Sequence, residues 1–227
     1  MELAERLREV DDSISSKLRE LSRTDQVTRI VVTKNHPVEL ALRLFELGVR
    51  DFGENRDQEA GPKAENLAEL VDTSELDWHF VGQLQSNKAK RVVRYASTIH
   101  SVDRQSLLDA LVAATASIDK SIDVFLQVNL TEDENRGGVN PDQLLPMAEQ
   151  VASAPGLNLL GVMAVGGLEV DPRAEFERVA ALSAMLVCEH PSASKISAGM
   201  SGDYLEALEH GATHLRIGTA ITGKRAY

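Results

Sequence analysis

The first twenty residues alternate apolar and charged positions at the spacing of an α-helix. Apolar residues recur at steps of three or four, with Glu, Arg, Asp and Lys between them. They are Leu3, Leu7, Val10, Ile14, Leu18 and Leu21. This spacing predicts a long amphipathic helix that packs its apolar stripe against a larger body.

Beyond this helix, short apolar runs typical of buried strands alternate with segments of helical periodicity. The runs predict strands at 28–33, 49–52, 77–81, 98–102, 122–128, 157–163, 195–198 and 214–217. The intervening patterns predict helices at 38–47, from near residue 54, and at 86–95, 104–118, 141–152, 172–188 and 204–210. Strand and helix thus alternate to the end of the chain.

Eight β-then-α units without a separate all-β or all-α half predict a parallel sheet, and eight strands are the number that closes a barrel. We therefore expect a (β/α)8 TIM-type barrel with an additional N-terminal helix, formed by residues 1–227 as one domain. The alternative is an open doubly wound sheet. Its dinucleotide-binding form requires a Gly-x-Gly-x-x-Gly turn after the first strand, where this chain has Lys34-Asn-His-Pro37.

Charge and composition narrow the possible partners. The net charge of −11 disfavours nucleic acid and anionic membranes, whose binding depends on neutralising phosphates. No window reaches the roughly 20 consecutive apolar residues of a membrane helix, and the N-terminus lacks a signal-peptide pattern. With Cys188 as the only cysteine, a disulfide-free protein of the cytoplasm is expected. The six histidines lack metal-ligand spacing, so no metal is expected.

Candidate chemistry lies at the predicted strand ends. Lys34 follows the first strand, and a lysine amine there can bond covalently to a carbonyl. Two Ser/Gly-rich turns follow strands seven and eight, at 197–203 and 218–223, where barrels often hold phosphate groups. Ser201, Gly218 and Thr219 are the candidate phosphate ligands, and Asp203 is expected to cap the next helix. Barrel closure brings strand eight beside strand one, and so brings these turns near Lys34.

Other polar residues near the predicted mouth have less distinctive patterns. Arg216 alternates with apolar neighbours in strand eight and is expected to point toward the mouth, and Asn55 follows strand two and can bond a ligand hydroxyl. Glu54 is interpreted as part of an acidic first helical turn. The basic cluster at 88–94 fits a solvated helix face better than an RNA site. Taken singly, a strand-end lysine is usually solvated and a Ser/Gly turn usually caps a helix, so the prediction depends on their joint placement.

The chain resembles the pyridoxal phosphate homeostasis proteins, single-domain relatives of the alanine racemase barrel (fold-type III). The resemblance runs nearly end to end. It rests on Val32-Thr-Lys-Asn-His-Pro37, Phe52-Gly-Glu-Asn55, Trp78-His-Phe-Val-Gly-Gln-Leu-Gln-Ser-Asn-Lys88, His100-Ser-Val-Asp103, Gln127-Val-Asn129, Gly199-Met-Ser201 and Arg216-Ile-Gly-Thr219.

This resemblance implies that Lys34 forms a Schiff base with pyridoxal 5′-phosphate and that Ser201, Gly218 and Thr219 hold its phosphate. It also implies that Asn55 lies near the ring and that Arg216 faces the pyridine nitrogen. Arginine stays protonated, so the ring would stay neutral and a poor electron sink. His36 and Arg136 stand where many members have lysines, which questions a lysine relay of the cofactor in this chain.

Three functions are compatible with these residues. The first is a non-catalytic carrier that buffers pyridoxal phosphate in vitamin B6 homeostasis and supplies it to apo-enzymes. The second is an amino-acid racemase, which needs a base on each face of the cofactor. The racemases take a tyrosine from a C-terminal domain that this chain is expected to lack, which favours the carrier and a monomer. The third is a Schiff-base aldolase acting on a sugar phosphate, for which no acid/base pair stands out near Lys34.

Overall fold

Eight parallel strands close into a barrel in a computed structural model, which describes residues 2–131, 137–166 and 171–223. The strands are β1 (Thr28–Val32), β2 (Asp51–Glu54), β3 (Asp77–Phe80), β4 (Thr98–Val102), β5 (Ile122–Gln127), β6 (Leu157–Met163), β7 (Lys195–Ser197) and β8 (His214–Ile217). Each strand pairs with the next along the chain, and β8 pairs with β1. The predicted (β/α)8 barrel is confirmed.

Helices surround the barrel in the order that the sequence predicts. They are α1 (Leu3–Glu20), α2 (Val38–Glu46), α3 (Asp57–Leu70), α4 (Ala89–Tyr95), α5 (Gln105–Ala116), α6 (Leu144–Ala152), α7 (Pro172–Glu189), α8 (Tyr204–Glu209) and α9 (Thr219–Thr222). Short 3-10 turns, Ser86–Lys88 and Pro141–Gln143, precede α4 and α6. The helical segments expected to begin at residues 86 and 141 therefore begin as 3-10 turns.

The additional N-terminal helix is present and lies against the last helices of the barrel. Its apolar stripe is buried, from Leu3 to Ile14. Arg6 Nε donates 2.6 Å to the carbonyl oxygen of Ile221, at the end of α9. Lys17 Nζ lies 2.9 Å from a carboxylate oxygen of Glu209 on α8. α1 thus supports the two short helices that follow strands seven and eight.

The predicted bounds of the second strand were wrong by two residues. Residues 49–52 were expected to form it, but β2 runs from Asp51 to Glu54. Gly48, which follows α2, adopts a positive φ of 88°. The Val49 N–H donates a hydrogen bond of 3.0 Å to the carbonyl oxygen of Leu44. Val49 therefore belongs to the end of the helix, where a left-handed glycine commonly terminates it.

Glu54 was also misplaced by the sequence analysis. It is the last residue of β2 and is 1% exposed, whereas the following helix begins at Asp57. A strand residue buried to this degree cannot act as a solvated charge at a helix start. Only Asp57 keeps the predicted position in the first turn of α3.

Polar rings fill part of the barrel interior. His100 stacks on Phe125 with ring centroids 4.6 Å apart, and His214 meets Phe125 edge-on at 5.0 Å. The His79 ring lies 5.2 Å from that of His100. Branched aliphatic side chains usually dominate this region of a TIM barrel, so three histidines here call for an explanation.

Across the described ranges, no helix combines the length and apolar character needed to cross a bilayer.

Candidate functional site

A cavity of about 370 Å³ opens at the carboxyl ends of the strands. Its lining comes from the ends of β1, β2, β3 and β8 and from the loops after β6 and β7. The lining residues are Val32, Lys34, Asn55, Val81, Val165, Met200, Ser201, Gly202, Arg216, Gly218 and Thr219. All six residues singled out from the sequence line this one cavity, at the face where barrels carry their functional sites.

Lys34 reaches the cavity from a tight turn after β1. His36 N–H donates 3.1 Å to the Thr33 carbonyl, and Asn35 sits between them at a positive φ of 62°, which asparagine tolerates better than most residues. The Asn35 N–H also donates 2.7 Å to Glu59. The Lys34 ammonium itself is exposed and has no hydrogen-bond or ion-pair partner in the described ranges. The turn is fixed, whereas the amine remains available.

A buried ion pair supports the backbone directly before Lys34. Lys63 on α3 contacts Glu54 and donates 2.8 Å to the carbonyl oxygen of Thr33, and the Thr33 hydroxyl donates 2.7 Å to the same carboxylate. Burial raises the pKa of Glu54, while Lys63 acts in the opposite direction. The sequence analysis missed Lys63. The available signal was a lysine at a helical position that the apolar pattern assigns to the core.

Arg216 forms one wall of the cavity and is 5% exposed. Its Nη1 donates 2.7 Å to Ser197 Oγ, and its Nη2 donates 2.7 Å to the carbonyl oxygen of Ala164. Burial lowers its pKa to about 10, against the opposing charge of Asp203, so the guanidinium stays protonated near neutral pH. Within the described residues it makes no ion pair, which leaves a buried cation facing a ligand cavity.

Asn55 is held at the cavity by the strand beside it. A Cβ atom on Gly82 would lie 2.7 Å from the Cα of Asn55, so only glycine allows the two backbones to approach this closely. The side-chain oxygen of Asn55 is buried and has no hydrogen-bond partner among the described residues. A buried acceptor of this kind requires a donor from water or from a ligand.

Ser201 links the loop after β7 to the start of α9. Its Oγ accepts hydrogen bonds from the N–H groups of Gly218 and Ala220, both at 3.2 Å. The hydroxyl proton is therefore left to donate toward the cavity, next to Thr219. Asp203 occupies the N-cap position of α8, as expected, but its side chain makes no capping hydrogen bond. Its carboxylate instead accepts from the Met200 N–H at 2.6 Å, which shapes the loop that carries Ser201.

Apolar side chains form the remaining walls. Val165 and Met200 are each 38% exposed, which is high for large apolar residues, and both line the cavity. With Val32 and Val81 they complete a surface suited to a flat ring. The cavity therefore offers an amine, a guanidinium donor, hydroxyl donors and an apolar surface to one small ligand.

A second, larger cavity of about 660 Å³ shares Asn55 with the first. Lys88 and Arg104 line it, and Arg104 is anchored to Asp103 at 2.6 Å and to the Leu84 carbonyl at 2.7 Å. Part of the basic cluster at 88–94, interpreted as a solvated helix face, thus faces a cavity.

Within the described ranges, no group of three or more His, Cys, Asp or Glu could hold a metal ion. Arg136, singled out from the sequence, lies outside the described residues.

The sequence matches the alanine racemase N-terminal domain family over residues 12–226. Pyridoxal phosphate homeostasis proteins from Vibrio alginolyticus and Mycobacterium bovis are 34% and 38% identical over 206 and 215 residues. These alignments cover 89% and 88% of this chain and 88% and 83% of the two relatives. The chain belongs to the pyridoxal phosphate homeostasis protein family.

A solved structure agrees with this assignment. PipY of Synechococcus elongatus PCC7942, whose structure contains PLP, is 32% identical to this chain. The two structures superpose with a TM-score of 0.85 over 98% of this chain and 100% of that chain. The similarity therefore extends over the whole barrel.

Proposed function

We propose that this protein binds pyridoxal 5′-phosphate reversibly through Lys34 and carries or buffers it in vitamin B6 homeostasis, without efficient catalysis. The observation that supports this most strongly is the presence, in one cavity, of the buried Arg216 guanidinium and of the Lys34 amine, which has no partner among the described residues. The PLP in the related PipY structure and the names of the homologous proteins support the choice of ligand.

The residues of the cavity fit this cofactor. Arg216 is a buried cation that makes no ion pair within the described residues, and a pyridine nitrogen is a suitable acceptor for it. The hydroxyls of Ser201 and Thr219 and the backbone at Gly218 would hold the phosphate at the other end of the cavity. Asn55, whose buried side-chain oxygen has no partner in the described part of the chain, would lie beside the ring.

Pyridoxal phosphate supplies an aldehyde that condenses reversibly with amines and a ring that withdraws electrons from attached bonds. The protein controls both properties through two residues. Lys34 presents the amine, and the fixed turn from Thr33 to His36 holds its backbone. Arg216 keeps its own proton and donates a hydrogen bond, so it cannot transfer a proton to the ring nitrogen. A pyridine ring held in this way is retained by the protein but withdraws electrons only weakly from the bonds attached to the cofactor.

A racemase would need a second base opposite Lys34. Among the described residues that line the cavity, Lys34 and Arg216 are the ionisable ones, and the Arg216 guanidinium stays protonated, so it cannot act as the second base. Tyr95 has a buried hydroxyl on α4, and Tyr204 begins α8; neither lines the cavity. The third tyrosine, Tyr227, lies outside the described residues. This distribution supports a carrier over a racemase.

Three incubations test the proposal. The purified protein is titrated with pyridoxal phosphate and followed by its visible absorbance, then supplied with L-alanine, and then mixed with an apo-enzyme that needs the cofactor. We expect stoichiometric binding, no steady racemisation and recovery of the apo-enzyme's activity. Sustained turnover of alanine would make the protein a racemase. Absence of binding, together with condensation of a triose phosphate and an aldehyde in a separate incubation, would favour the aldolase.

We further propose that the protein acts as a monomer in the cytoplasm, with apo-enzymes as transient partners. Away from the cavity, the large apolar side chains exposed among the described residues are Leu47, Leu70 and Met185, which lie on or next to three different helices. Three exposed apolar side chains are few for the large apolar surface that a stable dimer usually buries. Light scattering coupled to size-exclusion chromatography measures the oligomeric state directly.

A further inference from the structure

A continuous chain of hydrogen bonds runs through the barrel from its floor to the cavity. Arg216 Nη1 donates 2.7 Å to Ser197 Oγ, which lies 2.8 Å from His100 Nδ1. His100 Nε2 is 3.0 Å from His79 Nδ1, and His79 Nε2 is 3.1 Å from Asp51 Oδ1. The five residues come from five different strands. Asp51 begins β2, at the end of the barrel opposite the cavity.

With both histidines neutral, the carboxylate end fixes the direction of every bond. Asp51 is only an acceptor, so His79 carries its proton on Nε2 and accepts at Nδ1. His100 then donates from Nε2 and accepts at Nδ1 from the Ser197 hydroxyl. The Ser197 oxygen in turn accepts from Arg216, which is only a donor.

We infer that His100 and Ser197 are positioning residues for Arg216, and that the chain from Asp51 holds them in this single arrangement of protons. The inference rests on the proposed function for the role of Arg216 toward the ligand. Arg216 cannot give up its proton, so the chain orients a donor and does not conduct protons to the cavity. It also accounts for histidines in a region that branched aliphatic residues usually fill.

The surroundings of His100 favour the neutral form that this arrangement needs. The ring is fully buried and stacked on Phe125. Burial places the pKa of His100 well below its ordinary value, and the nearby His79, Arg216 and His214 act in the same direction. Asp51, with a side chain 31% exposed, is the carboxylate at the far end of the chain.

The arrangement can be tested without any ligand. Nitrogen-15 spectra of the histidine rings in the unliganded full-length protein report which ring nitrogen carries the proton. We expect the buried His100 ring to be neutral, with its proton on Nε2, from about pH 6 to 8, and we expect Nε2 of His79 to carry the proton that it donates to Asp51. A proton on Nδ1 of His100, or a charged His100 ring in this range, would overturn the inference.

A double-mutant cycle tests the positioning role. His100→Leu removes the acceptor for Ser197, and His100→Asn restores an acceptor near the position of Nδ1. We expect His100→Leu to weaken pyridoxal phosphate binding roughly tenfold in the wild-type background and to have no further effect beside Arg216→Gln. His100→Asn should recover part of the loss. Equal losses in both backgrounds would show that His100 acts on the ligand site without Arg216.

Ser197→Ala provides a second route if His100→Leu does not fold. It removes one hydroxyl while His100 and its stacking partner remain, and its effect is expected to disappear in the Arg216→Gln background as well. A loss that persists there would contradict the inference. If the wild-type protein fails to bind pyridoxal phosphate, the proposed function fails, and the ring tautomers of the unliganded protein still decide the proton arrangement.

Discussion

Lys63 Nζ lies 2.8 Å from the carbonyl oxygen of Thr33, the residue directly before Lys34. The same ammonium pairs with Glu54, whose carboxylate also accepts the Thr33 hydroxyl at 2.7 Å. A buried lysine and a buried glutamate thus neutralise each other behind the proposed cofactor lysine. They hold its backbone and leave the Lys34 amine without a competing carboxylate among the described residues.

Removing the buried cation should destabilise the fold strongly. Lys63→Met leaves Glu54 buried without its partner, and loss of one member of such a pair costs about 3–5 kcal/mol. Urea denaturation measures the change in free energy of unfolding. The double variant Lys63→Met/Glu54→Gln is the matched control, since it removes both charges and should lose much less. A loss below about 1 kcal/mol for Lys63→Met alone would show that the pair carries little stability.

The buried histidines should make stability fall as the pH falls. The pKa of His214 is lowered from 6.5 to about 3, mainly by burial, with His79, Lys195 and Arg216 acting in the same direction and Asp51 opposing them. Below pH 6.5 the unfolded chain binds a proton at this position and the folded protein does not. The free energy of unfolding should therefore decrease by about 1.4 kcal/mol per pH unit through His214, from pH 6 toward pH 4.

His214→Gln separates this contribution from those of the carboxylates. Its free energy of unfolding, measured in denaturant between pH 4 and 7, should depend less steeply on pH than that of the wild type. His100 is expected to act with the same sign, because its pKa is also lowered by burial. Parallel pH profiles for wild type and His214→Gln would mean that His214 is charged in the folded protein.

Ser201→Ala should weaken binding through the phosphate group specifically. The variant removes a hydroxyl next to Thr219, and a hydrogen bond to a charged group contributes about 1.5–3 kcal/mol. Affinity for pyridoxal phosphate should fall accordingly, whereas affinity for pyridoxal, which lacks the phosphate, should change little. Equal losses of affinity for both ligands would indicate that Ser201 acts only by ordering Gly218 and Ala220. Its hydroxyl oxygen accepts hydrogen bonds from their N–H groups.

Gly82→Ala should displace Asn55. The added methyl group would lie 2.7 Å from the Asn55 Cα, and overpacking against a backbone typically costs about 1–3 kcal/mol. Gly202→Ala is the control, because no heavy atom lies within 4 Å of a Cβ atom at that cavity residue. Thermal stability should fall for Gly82→Ala and stay near that of the wild type for Gly202→Ala, and ligand affinity should fall for Gly82→Ala. Unchanged affinity in Gly82→Ala would show that the ligand site does not depend on the position of Asn55.

The sequence was sufficient for the barrel and for the members of the cavity, but not for the buried polar contacts. Each strand is a short apolar run, and the closure of eight strands alone places Lys34 near Arg216. Val49 was assigned to β2 because an apolar residue at a helix end looks the same as one at a strand start. The contacts among Thr33, Glu54 and Lys63 depend on how a helix docks on its strand, which residue spacing does not reveal.

The chain of bonds from Asp51 to Arg216 was hidden for a related reason. Its members come from five strands, so their meeting depends on the stagger of the barrel, which is set by the register between strands. His79 and His100 were recognised as strand residues, and the structure places them in β3 and β4. The hydrogen bonds of His79 and His100 can be assigned only from the three-dimensional arrangement of side chains inside the barrel.

Peptide mapping after borohydride reduction tests the central claim most directly. Reduction of the protein mixed with pyridoxal phosphate converts a covalent bond to a lysine into a stable adduct, which mass spectrometry can assign. We predict one adduct per chain in the wild-type protein, on Lys34. In Lys34→Ala we predict no adduct on a cavity residue, and a circular-dichroism spectrum like that of the wild type. An adduct spread over surface lysines such as Lys88 and Lys90, or undiminished in Lys34→Ala, would contradict the assignment of Lys34 as the cofactor anchor.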